Sequence, residues 1–352
     1  MAAKFLEFWR INSVPIHFMV GSTWIAISYG TYSFLSRTKY NPAVLYKGKN
    51  PVEVDPATVT LLQDATEDMQ TKLLSQIYSK KGRVFQPPFV TVNSEVESIG
   101  SLKFNFGGAI GVPYHWRYAT SQDIDTVNIS LHSKDNTILQ KWIKAFDSFV
   151  MGQPKSAEYS INTTQDAKCN VVEIEYNEKA LEDLKESLIL SMDAKTFGLK
   201  RELECLNSYY QYVAAGLSVC SLLLGGGIGL ITQLALQKMK TLKPSVVLPI
   251  TVLYHCVGYA IGGLCFQNTM DLYLQRRNLA ITKDLADSGH ANGGIEYFEK
   301  LIKKNIALRT LLGPKGEQLY TEDGNVIYSK ERNPNVPLTQ QKETLAASLS
   351  NG

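Results

Sequence analysis

The sequence predicts an α+β integral membrane protein, built as a helical transmembrane hairpin with an N-terminal transmembrane anchor and a folded body. Three observations predict it. Two long stretches without a charged residue are joined by a short basic turn, and a third uncharged stretch lies near the N-terminus. Between these apolar parts lie about 170 residues that mix helical and strand periodicity. The chain has 352 residues, of which 44% are hydrophobic and 20% charged, a composition that excludes a disordered or collagen-like polymer. A mean hydropathy of -0.11 therefore averages unlike parts. With 36 basic against 33 acidic residues, the net charge of +3 gives no footprint for nucleic acid.

A short segment, 1–14, precedes the first apolar stretch. That stretch, 15–36, begins PIHFMVGSTWIAISYGTYSFL and is aromatic at both ends, as interfacial anchoring favours. It is too long for a secretory hydrophobic region, and no small-x-small cleavage site follows it, so it reads as an uncleaved transmembrane helix. The body, 37–208, opens with a helix. Asp55 stands before a proline-containing first turn, and Leu61, Leu62, Met69, Leu73 and Leu74 recur at helical spacing. VFQPPFVTVNS, VNISLHS and NVVEIEY carry strand-like alternation. A helical region leads toward the membrane, with a break at Ser191-Met192-Asp193.

Residues 209–236 carry no charge, and about 20 apolar residues suffice to cross a bilayer. The basic turn, 237–244, holds Lys238, Lys240 and Lys243, and 245–268 is again uncharged. A pair of buried helices in a soluble core is the alternative, disfavoured by the length and the missing charge. Gly225 and Gly229 stand four apart on one span, as do Gly258 and Gly262 on the other. At that spacing small residues let helix backbones approach closely, here within the hairpin first and toward a partner helix second. His255 lies mid-span and reads as a neutral imidazole hydrogen-bonded across the hairpin.

After the hairpin, 269–336 predicts an amphipathic helix stopped by Gly289, and then a second one ended by Gly313-Pro314. A β-hairpin turning at Asp323-Gly324 completes this segment. The tail, 337–352, reads as loose. Ten basic residues near the spans lie on the side of the body and five on the other, which places the body and the C-terminal segment on the positive-inside face.

Catalytic patterns are wanting. No H-E-x-x-H, G-x-S-x-G or Walker sequence is present. Gly107-Gly108-Ala109-Ile110-Gly111 is followed by Val112-Pro113, which breaks the helix a phosphate loop requires, so it reads as a strand edge or turn. The five histidines and five cysteines include no metal-ligand spacing, and neither a metal nor another cofactor is expected.

GGIEYFEKLIKKNIALRTLLGPKGEQLYTEDGN closely resembles the signature of the transmembrane protein 177 family. The positions carrying it are Gly293, Gly294, Glu299, Lys300, Leu301, Asn305, Leu308, Arg309, Leu312, Gly313, Gly316, Tyr320, Gly324 and Asn325. GGAIGVPYHW is similar to a second element of that family, through Gly107, Gly111 and Pro113. The resemblance implies a multi-pass protein of the mitochondrial inner membrane, its C-terminal segment toward the matrix. It further implies a non-enzymatic factor that stabilises newly made cytochrome c oxidase subunit 2 and that subunit's assembly chaperone. Its partners would then be these proteins and the membrane lipid bilayer, with no nucleic acid.

The order of parts also resembles HtpX-type membrane metallopeptidases, whose zinc helix precedes a transmembrane hairpin. Arg201 and Cys205 would stand where the two zinc histidines belong, Glu202 at the general base, and Ala280 where a ligand carboxylate is needed. That likeness implies a degenerate zincin-like domain, a pseudo-peptidase that has lost its metal. The competing functional readings are a membrane-embedded metallopeptidase with unusual ligands and a small-solute transporter. The transporter is disfavoured by scarce intramembrane charge and absent inverted repeats.

Overall fold

The structure, a computed structural model, describes residues 54–77, 88–91, 95–103, 108–124, 128–132, 158–162, 177–238, 244–328 and 333–351. The N-terminal span, Gly107, most of the basic turn and the NVVEIEY segment lie outside the described residues. The chain divides into two compact units. One includes Tyr209–Leu272, and the other joins Tyr46–Ser208 to Tyr273–Gly352.

The first unit is a helical hairpin. Helix α4, Tyr210–Lys238, has 29 residues, and α5, Pro244–Leu285, has 42 and continues into the second unit. At about 1.5 Å per residue, α4 reaches about 43 Å, longer than a hydrocarbon core of about 30 Å. These are the two described helices long and apolar enough to cross a membrane. Their outer surfaces carry Leu223, Ile231 and Leu253, each at least 60% exposed. A water-soluble fold would bury such side chains, whereas lipid solvates them.

The second unit is α+β. Helix α1, Pro56–Ile77, starts where expected, with the Asp55 carboxylate accepting from Thr58 N at 3.4 Å. A three-stranded sheet has the order β1–β3–β2, from Phe89–Thr91, Gly108–Pro113 and Glu97–Gly100. Strand β3 pairs parallel to β1 and antiparallel to β2. The glycine-rich run is therefore the central strand, buried along its whole length, and not the edge or turn that its glycines suggest. Gly111 has a packing reason: an added Cβ would come 2.7 Å from the Phe89 ring. A separate two-stranded ribbon pairs β4, Asn128–His132, with β5, Glu158–Asn162.

Helices α2, Glu178–Ser187, and α3, Met192–Leu206, break where the sequence predicts. Ser191 caps α3 by accepting from Ala194 N at 3.2 Å. After α5, Gly289 at φ 84° turns the chain into α6, Ala291–Leu311, with a left-handed residue that favours glycine. A short helix α7, Pro314–Glu317, follows. The expected β-hairpin is reduced to one antiparallel bridge, Tyr320 to Val326, around Gly324 at φ 76°. The tail is not loose: Leu338–Asn351 forms helix α8 and docks on α6 through Leu345, which is fully buried.

The main core gathers α1, the sheet, α3, the end of α5, α6 and α8 around Phe197 and Phe298, both fully buried. Their rings meet edge to face at 5.7 Å, a geometry that aromatic quadrupoles favour. A second cluster packs α2 against the C-terminal half of α6, around Leu184, Leu188 and Leu308.

Candidate functional site

In the hairpin unit the four glycines singled out by spacing line the contact between α4 and α5. A Cβ on Gly225 would stand 2.8 Å from the Gly258 carbonyl oxygen and 2.9 Å from Tyr259 Cα. One on Gly258 would overlap the Gly225 carbonyl, and one on Gly262 the Ser221 carbonyl. Gly229 faces the His255 ring. From Ser221–Gly262 through Gly225–Gly258 to Gly229–His255 the contacts rise along α4 as they fall along α5, which is the register of an antiparallel seam. Ser221 Oγ donates across it to the Gly262 carbonyl at 2.5 Å. His255 Nδ1 donates to the Thr251 carbonyl at 2.8 Å, one turn back on its own helix.

Gln233 and Thr251 are both buried, and Gln233 Oε1 and Thr251 Oγ1 have no hydrogen-bond partner among the described residues. Cys220, Cys256 and Cys265 are exposed, as are the large apolar side chains around them. The outward face of α4 runs through Tyr212, Gly216, Cys220, Leu224, Gly227 and Ile231 at helical spacing. Among the described residues, a Cβ on Gly216 or Gly227 would meet nothing within 4 Å.

In the second unit the crossing of α3 and α6 depends on close backbone approach. An added Cβ on Gly293 would lie 2.5 Å from the Asp193 carbonyl oxygen. On Gly294 it would lie 2.6 Å from both Phe197 and Leu345, and on Gly198 2.9 Å from the Tyr297 ring. Glu296 binds the Ser191 cap twice, accepting from its amide at 3.0 Å and its hydroxyl at 2.5 Å. The helix start is thereby tied to α6.

The positions compared with a zinc site lie at this same crossing. Glu202 accepts from Ser98 Oγ at 2.7 Å and from Arg201 Nη1 at 3.2 Å, so its carboxylate is already engaged. The Arg201 guanidinium sits 5.8 Å from the Phe298 ring centroid. Burial pushes the Cys205 thiol up to about 11, reinforced by the Glu202 charge, which keeps it protonated at neutral pH. A guanidinium has no lone pair to offer a divalent metal, so Arg201 cannot stand in for a zinc histidine. Ala280 is exposed and brings no carboxylate. Among the described residues no group of three His, Cys, Asp or Glu side chains could hold a metal ion. Nearby, Lys304 is 3% exposed and holds the Glu95 carboxyl below its usual range from 3.0 Å away. Lys200 Nζ lies 2.7 Å from His290 Nε2.

Most signature positions are joints. Leu301, Leu308 and Leu312 are buried, whereas Glu299 and Lys300 make surface ion pairs, with Lys342 at 3.6 Å and Glu186 at 4.0 Å. Asn305 Nδ2 donates to the Gly324 carbonyl at 2.8 Å, and Arg309 Nε to the Tyr320 carbonyl at 3.1 Å. Gly313, at φ 54°, precedes α7, and Gly316 packs against the Arg309 backbone, 2.7 Å from its Cα for an added Cβ. Asn325 Oδ1 accepts from Thr339 N at 3.2 Å, at the start of α8. Pro113 ends β3, paired with Thr91. The signature thus binds the loop after α6, and then α8, back onto α6. Sequence reasoning missed Thr339 as the partner of Asn325, and Glu296 as the partner of Ser191, because each contact joins separate segments.

No family model and no solved structure matches the chain. Among curated proteins, transmembrane protein 177 of Homo sapiens is 30% identical over 184 residues, covering 51% of this chain and 57% of that protein. The Xenopus laevis protein of the same name is 28% identical over 184 residues, with the same shares, and that of Danio rerio 27% over 162 residues. The chain spans about half the length of the curated relatives it matches. The likeness to HtpX-type peptidases rests on the order of parts alone.

Two outcomes follow from this geometry. Gly258→Leu should destabilise the detergent-solubilised protein by about 2 kcal/mol or more, since over-packing a tight contact costs about 1–3 kcal/mol. Gly216→Ala, facing open space, should leave the melting temperature unchanged or slightly higher. Equal losses from the two would refute the seam. For Cys205, a thiol near 11 leaves about one thiolate in a thousand at pH 8. Alkylation of a variant retaining only this cysteine should be correspondingly slow and rise about tenfold per pH unit. Fast, pH-independent labelling would contradict a sealed thiol.

Proposed function

From its kinship with the transmembrane protein 177 family, we propose that this chain is a non-enzymatic assembly factor of the mitochondrial inner membrane. In this reading it stabilises newly made cytochrome c oxidase subunit 2 and that subunit's dedicated assembly chaperone, with its folded unit on the matrix side. The observation that carries the scaffold reading is the pairing of a lipid-facing hairpin with a folded unit whose polar side chains are spent on internal joints. Glu202, which would stand at the general base of a peptidase, is held by Ser98 and Arg201.

The contact with a client helix belongs on the outward face of α4. Gly225, Gly229, Gly258 and Gly262 are spent on the seam, so a client would pack against Gly216 and Gly227, where close approach stays open. Such packing works by van der Waals fit, because lipid tails remove any hydrophobic drive for helices to associate.

Affinity capture of the tagged protein from mitochondria labelled during translation tests this. Subunit 2 and its chaperone should be recovered, and a Gly216→Leu, Gly227→Leu double variant should lose about tenfold of the captured subunit while its melting temperature holds. A clean absence of both proteins from the wild-type capture would overturn the assembly role. Capture unchanged in the variant would move the contact to another face. Digestion of a C-terminal tag from the intermembrane-space side of mitoplasts would overturn the orientation.

A further inference from the structure

Ser208 directly precedes the uncharged stretch that begins at residue 209, so it marks the level at which the chain enters lipid. Arg277 Nη1 donates to Ser208 Oγ at 3.4 Å, which ties the far end of α5 to that same level. Ser101 Oγ donates to the Ser208 carbonyl at 3.3 Å and accepts from Lys103 N at 3.1 Å, so the chain after β2 is held there as well.

Arg276 is the first exposed charged side chain that α5 carries beyond its apolar span; Asp271, the one charge before it, is 6% exposed. It stands one helical turn past Leu272, which is 55% exposed, and so continues a face of α5 that meets lipid. Helical side chains lean toward the N-terminus, here back toward the bilayer, and an arginine can lay its carbons along lipid while its charge stays in water. No hydrogen bond or ion pair engages the Arg276 guanidinium among the described residues. Charge at this edge is positive on balance. Lys103, Arg276 and Arg277 stand against Glu204, one turn before Ser208, while Glu202 is engaged by Ser98 and Arg201.

We propose that Arg276 and Arg277 bind the phosphate headgroup of an acidic phospholipid in the leaflet beside the folded unit, with Lys103 adding to the attraction. Guanidinium groups suit phosphate oxygens because they present paired N–H donors in a fixed plane. Each basic side chain at a negatively charged bilayer surface strengthens binding by about 1 kcal/mol, or about fivefold. A zwitterionic headgroup carries its own cation and gains less. Free phosphate gains the charge alone, whereas a lipid also keeps its chains against the apolar face below Arg276. The site is independent of the client contact on α4, so either can fail without the other.

The full-length protein in a neutral detergent, titrated at constant ionic strength with a short-chain phosphatidylglycerol, tests this. Phosphatidylcholine of the same chain length and inorganic phosphate are titrated in parallel. Phosphatidylglycerol should raise the melting temperature with concentration until it saturates, because a ligand of the folded state stabilises it by mass action. The other two should not. Arg276→Gln should leave the lipid-free melting temperature unchanged and weaken phosphatidylglycerol binding about fivefold, and the Arg276→Gln, Arg277→Gln double variant about 25-fold. If the double variant does not fold, the single one decides. A control losing two charges at Lys179 and Lys315, both exposed and well outside the span ends, should bind as the parent does. No rise with phosphatidylglycerol, an equal rise with phosphatidylcholine or with phosphate alone, or the same weakening in the control would overturn the site.

Discussion

The close crossing of α3 and α6 is the constraint on which the folded unit depends. Gly198, Gly293 and Gly294 remove the Cβ atoms that would hold the two helices apart, and Phe197, Tyr297 and Phe298 fill the space around them. Each ring buries a large apolar area, and truncating such a residue costs about 3–5 kcal/mol. The two helices are separated in sequence by both apolar spans. A chain that crossed a bilayer once between them would leave them on opposite sides. A hairpin returns the chain to the side it left, so a two-span arrangement allows this crossing.

Within the hairpin, the same device operates under different physics. No aqueous driving force presses two lipid-solvated helices together, so contact must come from shape. Glycine gives α4 and α5 that shape where Gly225 meets Gly258, and the Ser221 hydroxyl adds a bond to the Gly262 carbonyl that hydrocarbon cannot supply. Three further polar residues of the two helices, Gln233, Thr251 and His255, are buried, away from the surface that meets lipid. That distribution is the expected one, since an exposed polar group in hydrocarbon has nothing with which to pair.

Much of this was legible in the sequence because it is local. Absence of charge over 28 residues marks a span, Asp55 and Ser191 mark helix starts, and Gly289 marks a stop. What escaped depends on partners far along the chain. LTQQKETLAASLSN carries few apolar residues, so helix α8 gives a thin periodic signal and owes its place to Leu345 against Gly294 and to the Asn325 cap. Asp323-Gly324 has the composition of a hairpin turn, yet Asn305 binds the Gly324 carbonyl and draws the loop onto α6, leaving a single bridge. GAIGVP reads as a strand edge or turn because it is rich in glycine, but Gly108–Pro113 lies between two strands, and Gly111 lies against Phe89, where a side chain would not fit. The sites compared with a zinc peptidase were read by spacing alone. Their chemistry is decided by Ser98 and by burial, which spacing does not disclose.

The central claim is that the chain enters and leaves the membrane on one side, so that its two flanks fold into one body. Single cysteines at Gln122, Ser288 and Lys238, in an otherwise cysteine-free protein in sealed native membranes, test it with an impermeant maleimide. The account predicts that the cysteines at positions 122 and 288 react from the same side, and the one at 238 only from the other. Labelling of 122 and 288 from opposite sides would contradict it, as would labelling of all three from one.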